Sequence, residues 1–195
     1  EAIKEGLLEA TPERIDSLYE EITRISKIVN NLDHLTDYES NKVKLNKVEF
    51  NIKELIMRII NNYETEAIDK NIKIKIEGED VVVVADKDKM TQVIINLISN
   101  SLKYTNENGE ITIFVSQDNK EAIIKVVDNG IGIPEEDLPF VFERFYKVDK
   151  SRTRTEAGSG IGLSIVKSII EAHNGKIEIE SKLNKGTSIS VIIPI

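Results

Sequence analysis

The sequence predicts an α+β protein. The expected architecture is a two-layer α/β sandwich, a mixed, mostly antiparallel sheet packed on helices, preceded by a long coiled-coil-like helix. Three observations carry this. Apolar residues follow a heptad seam up to about residue 38, and the pattern changes once, after Asn41-Lys42. Beyond that point helix-period and period-2 stretches form separate blocks with no internal repeat, which favours helices segregated on one side of an antiparallel sheet. The 195 residues are 40% hydrophobic and 31% charged, enough for one packed domain with an appendage.

Thr11-Pro12 starts the long helix with a hydroxyl cap and a first-turn proline. Ile15, Leu18, Ile22, Ile25, Val29 and Leu32 then follow at spacings of three and four, an a/d seam that packs on other long helices. Residues 1–10 read as the tail of an earlier helix, with Ile3 and Leu7 on one face. The chain begins at Glu1 inside this pattern, and we take it as part of a longer protein. Val48, Phe50 and Ile52 alternate as a short strand. Asn51 with Glu54 resembles a helix cap, and a helix is expected to about residue 69 with Leu55, Ile56, Ile59, Ile60 and Tyr63 inward. Ile72, Ile74 and Ile76 alternate with lysines as a half-wet strand, and 81–84 reads as a short buried one. A helix follows over 86–104, with Met90, Val93, Ile94, Leu97 and Ile98 on its apolar side. Strands are expected near 110–117 and 121–127, then an irregular glycine-rich stretch from Asp128 to Gly162, a helix to His173, and two strands joined by Asn184-Lys185-Gly186.

Composition excludes several classes. With no cysteine there is no disulfide, thiolate metal site or thiol nucleophile, and two histidines cannot make a histidine-rich metal centre. A net charge of -8 argues against nucleic acid held by phosphate contacts. No apolar run approaches the roughly 18 residues of a membrane-spanning helix.

Four stretches carry chemistry. Asn96, Asn100 and Lys103, spaced by four and three, share one helix face. An amide oxygen is a hard ligand suited to Mg²⁺, and a lysine suits phosphate. Asp128-Asn129-Gly130-Ile131-Gly132-Ile133 follows a strand. As a plain turn it would not need Ile131 and Ile133, and Asp128, ending a buried strand, can accept from an amine inside a pocket. Gly158-Ser159-Gly160-Ile161-Gly162-Leu163 leads into a helix whose N-terminus can face an anion. It is neither the dinucleotide fingerprint nor a P-loop, and a flexible linker would read the same way. Between them, Lys147, Lys150, Arg152 and Arg154 gather cations suited to a lid over phosphates, with Phe142, Phe145 and Tyr146 packing at its base.

In this order the motifs resemble the boxes of the sensor histidine kinases. Residues 96–105 resemble the N box, 128–133 the first glycine box, 142–147 the F box, 158–163 the second glycine box, and Gly186-Thr187 a short third box. The resemblance covers the catalytic, ATP-binding domain of the GHKL superfamily (the Bergerat fold) over 44–195. Residues 1–43 resemble the end of the dimerisation and histidine-phosphotransfer hairpin. It implies ATP and Mg²⁺, with Asn100 ligating the ion and Asn96 one turn earlier beside the phosphates. Lys103 and Lys147 would reach phosphates, Asn96, Lys103 and Lys147 forming the catalytic set. Tyr104 would pack near the nucleotide, and Asp128 would accept from the adenine amine, helped by Thr187 through ordered water. Gly130 and Gly132 would let the backbone approach the base beside Ile133. Gly158, Gly160 and Gly162 would shape the lid hinge and the phosphate-facing helix start beside Leu163. It also implies a homodimer through the hairpin, a response-regulator receiver domain as partner, a cytoplasmic setting, and no nucleic-acid or membrane-embedded role.

The family's acceptor histidine, in a His-Glu/Asp-x-x-Thr-Pro context, has no match here. His34 is off the seam. His173 sits at a helix C-terminus, where an imidazolium interacts well with the dipole and can cap carbonyls. The leading function is therefore ATP-dependent phosphoryl transfer to a histidine outside this chain. The alternatives are a nucleotide-binding regulatory module and a GHKL ATPase. Asn96 speaks against the last, whose members resemble one another in a glutamate there.

Overall fold

The computed structural model describes residues 11, 45–148 and 160–195. The hairpin expected over 1–43, its seam and His34, and Gly158, Lys150, Arg152 and Arg154, lie outside the described residues.

The described chain opens with strand β1 (Lys47–Asn51), which pairs antiparallel with β3 (Val82–Asp86) in a two-stranded sheet. Ile52, expected in the strand, is instead the first residue of helix α1 (Ile52–Asn61). The cause is the Asn51 side chain, whose Oδ1 accepts the N–H groups of Lys53 and Glu54 at 2.9 and 3.2 Å and so starts the helix. Glu54 does not complete a capping box; its carboxylate takes Arg58 one turn on at 3.2 Å. The single helix expected to residue 69 is two. The chain tightens into i→i+3 bonds at Asn62 and Tyr63, next to a pair of weak helix formers, and α2 (Glu64–Asp69) follows. The stretch 81–84, expected as a buried strand, is buried on one face only. Val81, Val83 and Ala85 are buried, but Val82 and Val84 are each 51% exposed, because a two-stranded sheet covers only one face.

The main sheet runs β2 (Lys73–Gly78), β4 (Glu110–Asp118), β5 (Glu121–Asp128), β7 (Gly186–Pro194), β6 (Lys176–Lys182). Only β2 and β4 are parallel. Period-2 alternation puts Ile111, Ile113 and Val115, Ala122, Ile124 and Val126, and Ile189, Val191 and Ile193 on the inner face. Helices α1, α3 (Lys87–Tyr104) and α4 (Gly162–Ala172) supply the other half of the core through Ile52, Ile56, Met90, Leu97, Ile98, Ile165 and Ile169. Each such side chain contributes about 1.5–3 kcal/mol by leaving water. Asp128 belongs to the same inward series as Val126, two residues on, so the strand register itself aims a carboxylate at the helix layer. A one-residue slip would turn it outward.

His173 caps a carbonyl at the helix end, as expected, but as a buried, neutral ring and not as an imidazolium. It is 2% exposed, its Nδ1 lies 2.8 Å from the Ile169 carbonyl, and its Nε2 accepts the Asp86 N–H at 3.0 Å. A ring that donates from one nitrogen and accepts at the other is neutral. Burial pushes its pKa below the usual histidine value, with Lys47 adding to this, against the Ile169 hydrogen bond and Asp86.

Candidate functional site

The helical repeat sends Val93, Ile94, Leu97, Ile98 and Leu102 of α3 into the core. It leaves Asn96, Asn100 and Lys103 along one side of a cavity of about 500 Å³. That volume suits a ligand of nucleotide size. Beside them stands the start of α4, where Gly160, Gly162 and Leu163 line the cavity. A Cβ at Gly162 would lie 3.2 Å from Asn96 Oδ1 and 3.8 Å from Asn100 Nδ2, so the two asparagines and the α4 start face each other closely. Ile161, at the N-cap of α4, supplies no side-chain cap.

Asp128 closes the inner end. It is 7% exposed. Its Oδ1 accepts the N–H of Gly130 at 2.9 Å and that of Thr187 at 3.2 Å, and its Oδ2 receives the Ser101 hydroxyl at 3.4 Å. Burial holds the carboxyl above the usual carboxylate value, although the hydrogen bonds from Gly130, Thr187 and Ser101 pull it down. Thr187 touches Asp128 directly through its N–H, while its hydroxyl pairs with Ser181 Oγ at 2.9 Å.

The glycines after Asp128 have a more local reason than a close-lying base. A Cβ at Gly130 would fall on the Tyr104 carbonyl oxygen, and one at Gly132 (φ +66°) on the Lys182 carbonyl oxygen. Backbone therefore meets backbone. Ile131 N–H donates to Tyr104 O at 3.0 Å, and Asn184 N–H to Ile131 O at 2.7 Å. The loop is pinned between the end of α3 and the β6–β7 turn, and this presents Ile131, Gly132 and Ile133 to the cavity. Gly130 itself does not line it.

Lys147 and Tyr104 line the cavity with Tyr146, Val141 and Val148. Lys103 Nζ lies 5.3 Å from the Tyr104 ring centroid. The Tyr146 hydroxyl donates to Asp137 Oδ1, and that hydrogen bond, with burial, pushes its pKa up to about 12. Phe145, expected as packing, is 56% exposed and adopts φ +62°, an uncommon conformation for an aromatic residue. Its N–H donates to Gly160 O at 2.8 Å, so residues 145 and 160 stand together.

Sequence reasoning missed Ser99, Ser101, Pro134, Val141, Leu183 and Ile189 on the cavity wall. Leu183 had a signal, a large apolar residue inside a polar turn, and it is 53% exposed beside the cavity. Ser101 had none, because its partner Asp128 is 27 residues away.

A mixed sheet with helices on one face, a cleft walled by an asparagine-bearing helix, and a buried acid at its inner end define a histidine-kinase-type ATP-binding catalytic domain. Residues 85–195 match the model of the histidine kinase-, DNA gyrase B- and HSP90-like ATPases, more than half of the chain, and the chain belongs to that family. Sensor protein kinase WalK of Staphylococcus saprophyticus is 40% identical over 197 residues, 99% of this chain and 32% of that protein. The chain thus spans about a third of that relative's length. Among solved structures, the nucleotide-free catalytic domain of histidine kinase ThkA is 34% identical with a TM-score of 0.68, covering 77% of this chain and 96% of that one. ThkA in complex with response regulator protein TrrA is 29% identical with a TM-score of 0.73, covering 95% and 52%.

Proposed function

We propose that this chain holds Mg-ATP in the cleft between α3 and α4 and gives its γ-phosphoryl group to a histidine imidazole outside the chain. Residues 44–195 would be the catalytic domain, and 1–43 the end of a dimerising, phosphotransfer hairpin. The observation that carries this is the polarity of the cleft. One buried acid, Asp128, lines the same cavity as partly exposed amides and lysines (Asn96, Asn100, Lys103, Lys147).

Each role follows from the atom available. Asp128 Oδ1 is occupied by two N–H groups, which leaves Oδ2, with one long hydrogen bond, to accept the adenine amine. Lys103 and Lys147 supply positive charge to the phosphates. The donor set fits Mg²⁺. Asn100 offers a hard amide oxygen, and among the described residues no group of three His, Cys, Asp or Glu forms a metal cage. This matches an ion held largely by phosphate and water. When bound, the ion offsets phosphate charge. Asn96 is a neutral amide and cannot serve as a general base for water, so ATP is kept for a protein acceptor. In the transfer the β–γ phosphoanhydride P–O bond breaks, a P–N bond to the imidazole forms, and ADP leaves.

The full protein would pair through the hairpin and pass the phosphoryl group to a response-regulator receiver domain. ThkA's complex with TrrA and the likeness to a sensor kinase support this. Among the described residues no helix is long and apolar enough to cross a membrane, and we place this part of the protein in the cytoplasm. The test is to mix the chain with γ-labelled Mg-ATP and a separately made histidine-bearing hairpin from the same protein. Acid-labile label on the hairpin, lost with His→Gln at its acceptor, is expected. Rapid release of free phosphate without labelled hairpin favours the ATPase reading, and nucleotide binding with neither reaction favours the regulatory module.

A further inference from the structure

Two helices meet at the cleft from opposite directions. α4 begins there with Gly162 and Leu163 and ends at His173, its C-cap. α3 begins at its N-cap Asp86 and reaches the cleft with Asn96 and Asn100. The ends remote from the cleft share the apolar core and, among the described residues, a buried ring that bonds to both. The Ile169 carbonyl can only accept, so His173 Nδ1 carries the proton and Nε2 accepts the Asp86 N–H at 3.0 Å. The Asp86 carboxylate is also committed, taking Lys89 N–H at 3.1 Å as the α3 cap and Asn46 N–H at 2.9 Å. None of these residues lines the cavity.

α3 has its own ties to the inner end of the cleft, through Ile131 N–H to Tyr104 O and Ser101 to Asp128. The start of α4 meets α3 by packing, with a Cβ position at Gly162 only 3.2 Å from Asn96 Oδ1, so a small shift of α4 is felt at that asparagine. A helix transmits a displacement along its axis, and Asn96 is about 15 Å from Asp86 at 1.5 Å per residue.

We propose that His173 is a positioning residue for the phosphate end of the cleft: through the Asp86 N–H it sets the start of α4, at Gly162, against Asn96 and Asn100. The inference rests on the nucleotide reading above. The joint acts on the wall that faces phosphates and leaves the Asp128–Thr187 end, built on the β5–β7 ladder, where it is. Its loss therefore weakens triphosphate more than adenine.

The test compares His173→Leu, which fills the space without an acceptor, with His173→Gln, whose Oε1 can take the Asp86 N–H at the place of Nε2. His173→Asn keeps a donor near Ile169 O but gives no acceptor at that reach, and it substitutes for the leucine variant should that fail to fold. Amide-resolved NMR titrations of the 195-residue chain with Mg-AMPPNP and with adenosine give both affinities for the folded fraction alone. The Leu or Asn variant is expected to weaken Mg-AMPPNP about tenfold, the scale of a small misplacement at a binding geometry, and adenosine less than about twofold. His173→Gln should recover most of the loss. Equal weakening of both ligands, no weakening of either, or a Gln variant no better than Leu would overturn the positioning role. If the unsubstituted chain bound neither ligand, the nucleotide reading itself would fall, a result separable from the others.

Discussion

Thr187 and Asp128 are register partners across β7 and β5, and the Thr187 N–H donates to Asp128 Oδ1 at 3.2 Å. With Gly130 N–H on the same oxygen, one face of the carboxylate is committed to its own loop and the other is directed at the cavity. Asp128→Asn breaks this division, since an amide has one acceptor and one donor end. With its oxygen on the two N–H groups, its NH₂ faces the adenine amine. ATP affinity should fall roughly tenfold to a hundredfold, the value of one mismatched buried hydrogen bond of about 1–3 kcal/mol. Calorimetry returning equal affinities would remove Asp128 from the site.

The same substitution should raise the melting temperature of the ligand-free protein at neutral pH. Burial lifts the native pKa of Asp128 above its unfolded value, so the native state holds a proton that the unfolded state has lost in that window. Stability from this group is present at low pH and is lost as pH rises through the native pKa. An amide removes that loss. A lower melting temperature for the variant at pH 7 would contradict the argument.

His173 gives the opposite sign. Its native pKa is lowered by burial, with Lys47 and Asp86 as the charges that act on it. Below about pH 6.5, the unperturbed histidine value, the unfolded state takes up a proton that the native state refuses. Stability therefore falls with falling pH until the native pKa is passed. The difference in unfolding free energy between the unsubstituted protein and His173→Gln should shrink from pH 7 to 5.5 in urea titrations. A constant difference over that range would show the native ring to titrate like the unfolded one, and a growing difference would show it to be held protonated.

Gly130→Ala should destabilise the fold and press on the site as well, since its Cβ would also lie 3.0 Å from Asp128 Oδ1. Its Cβ falls on the Tyr104 carbonyl oxygen, which also holds Ile131 N–H. Relief requires the loop to leave the end of α3, a cost of about 1–3 kcal/mol, or roughly 2–10 °C in melting temperature for a domain of this size. An unchanged melting temperature would mean that the loop and helix are not in register as described.

Much of the site was legible because it is local. Asn96, Asn100 and Lys103 announce their common face by spacing alone, and Asp128 follows an alternating strand that fixes its phase. What escaped is non-local. His173 reads as a dipole partner until its ring is found on an amide 87 residues away. Likewise, the glycines at 130 and 132 read as room for a ligand, and the sequence does not show that the carbonyls of Tyr104 and Lys182 need room there too. The open face of Val82 and Val84 depends on what packs beside it, which no window of sequence contains, whereas the break at Asn62-Tyr63 had a local signal in Asn61-Asn62.

Asn100→Ala should lose most of the Mg²⁺ enhancement of nucleotide affinity while keeping Mg-free binding within about twofold, because Mg²⁺ takes few protein ligands and the loss of one is felt. Full retention of the enhancement would move the metal role to another residue.

The central claim is that the cleft between α3 and α4 holds Mg-ATP with the base at Asp128 and the phosphates at the asparagines. An amide-resolved NMR titration with Mg-AMPPNP tests it most directly. The account predicts saturable shifts at Gly130, Thr187 and Ile131 that adenosine alone reproduces. Further shifts at Asn96, Asn100 and Gly162 should appear only with the triphosphate. Shifts absent from both groups at millimolar nucleotide, or clustered on the outer face of the β2–β6 sheet, would contradict it.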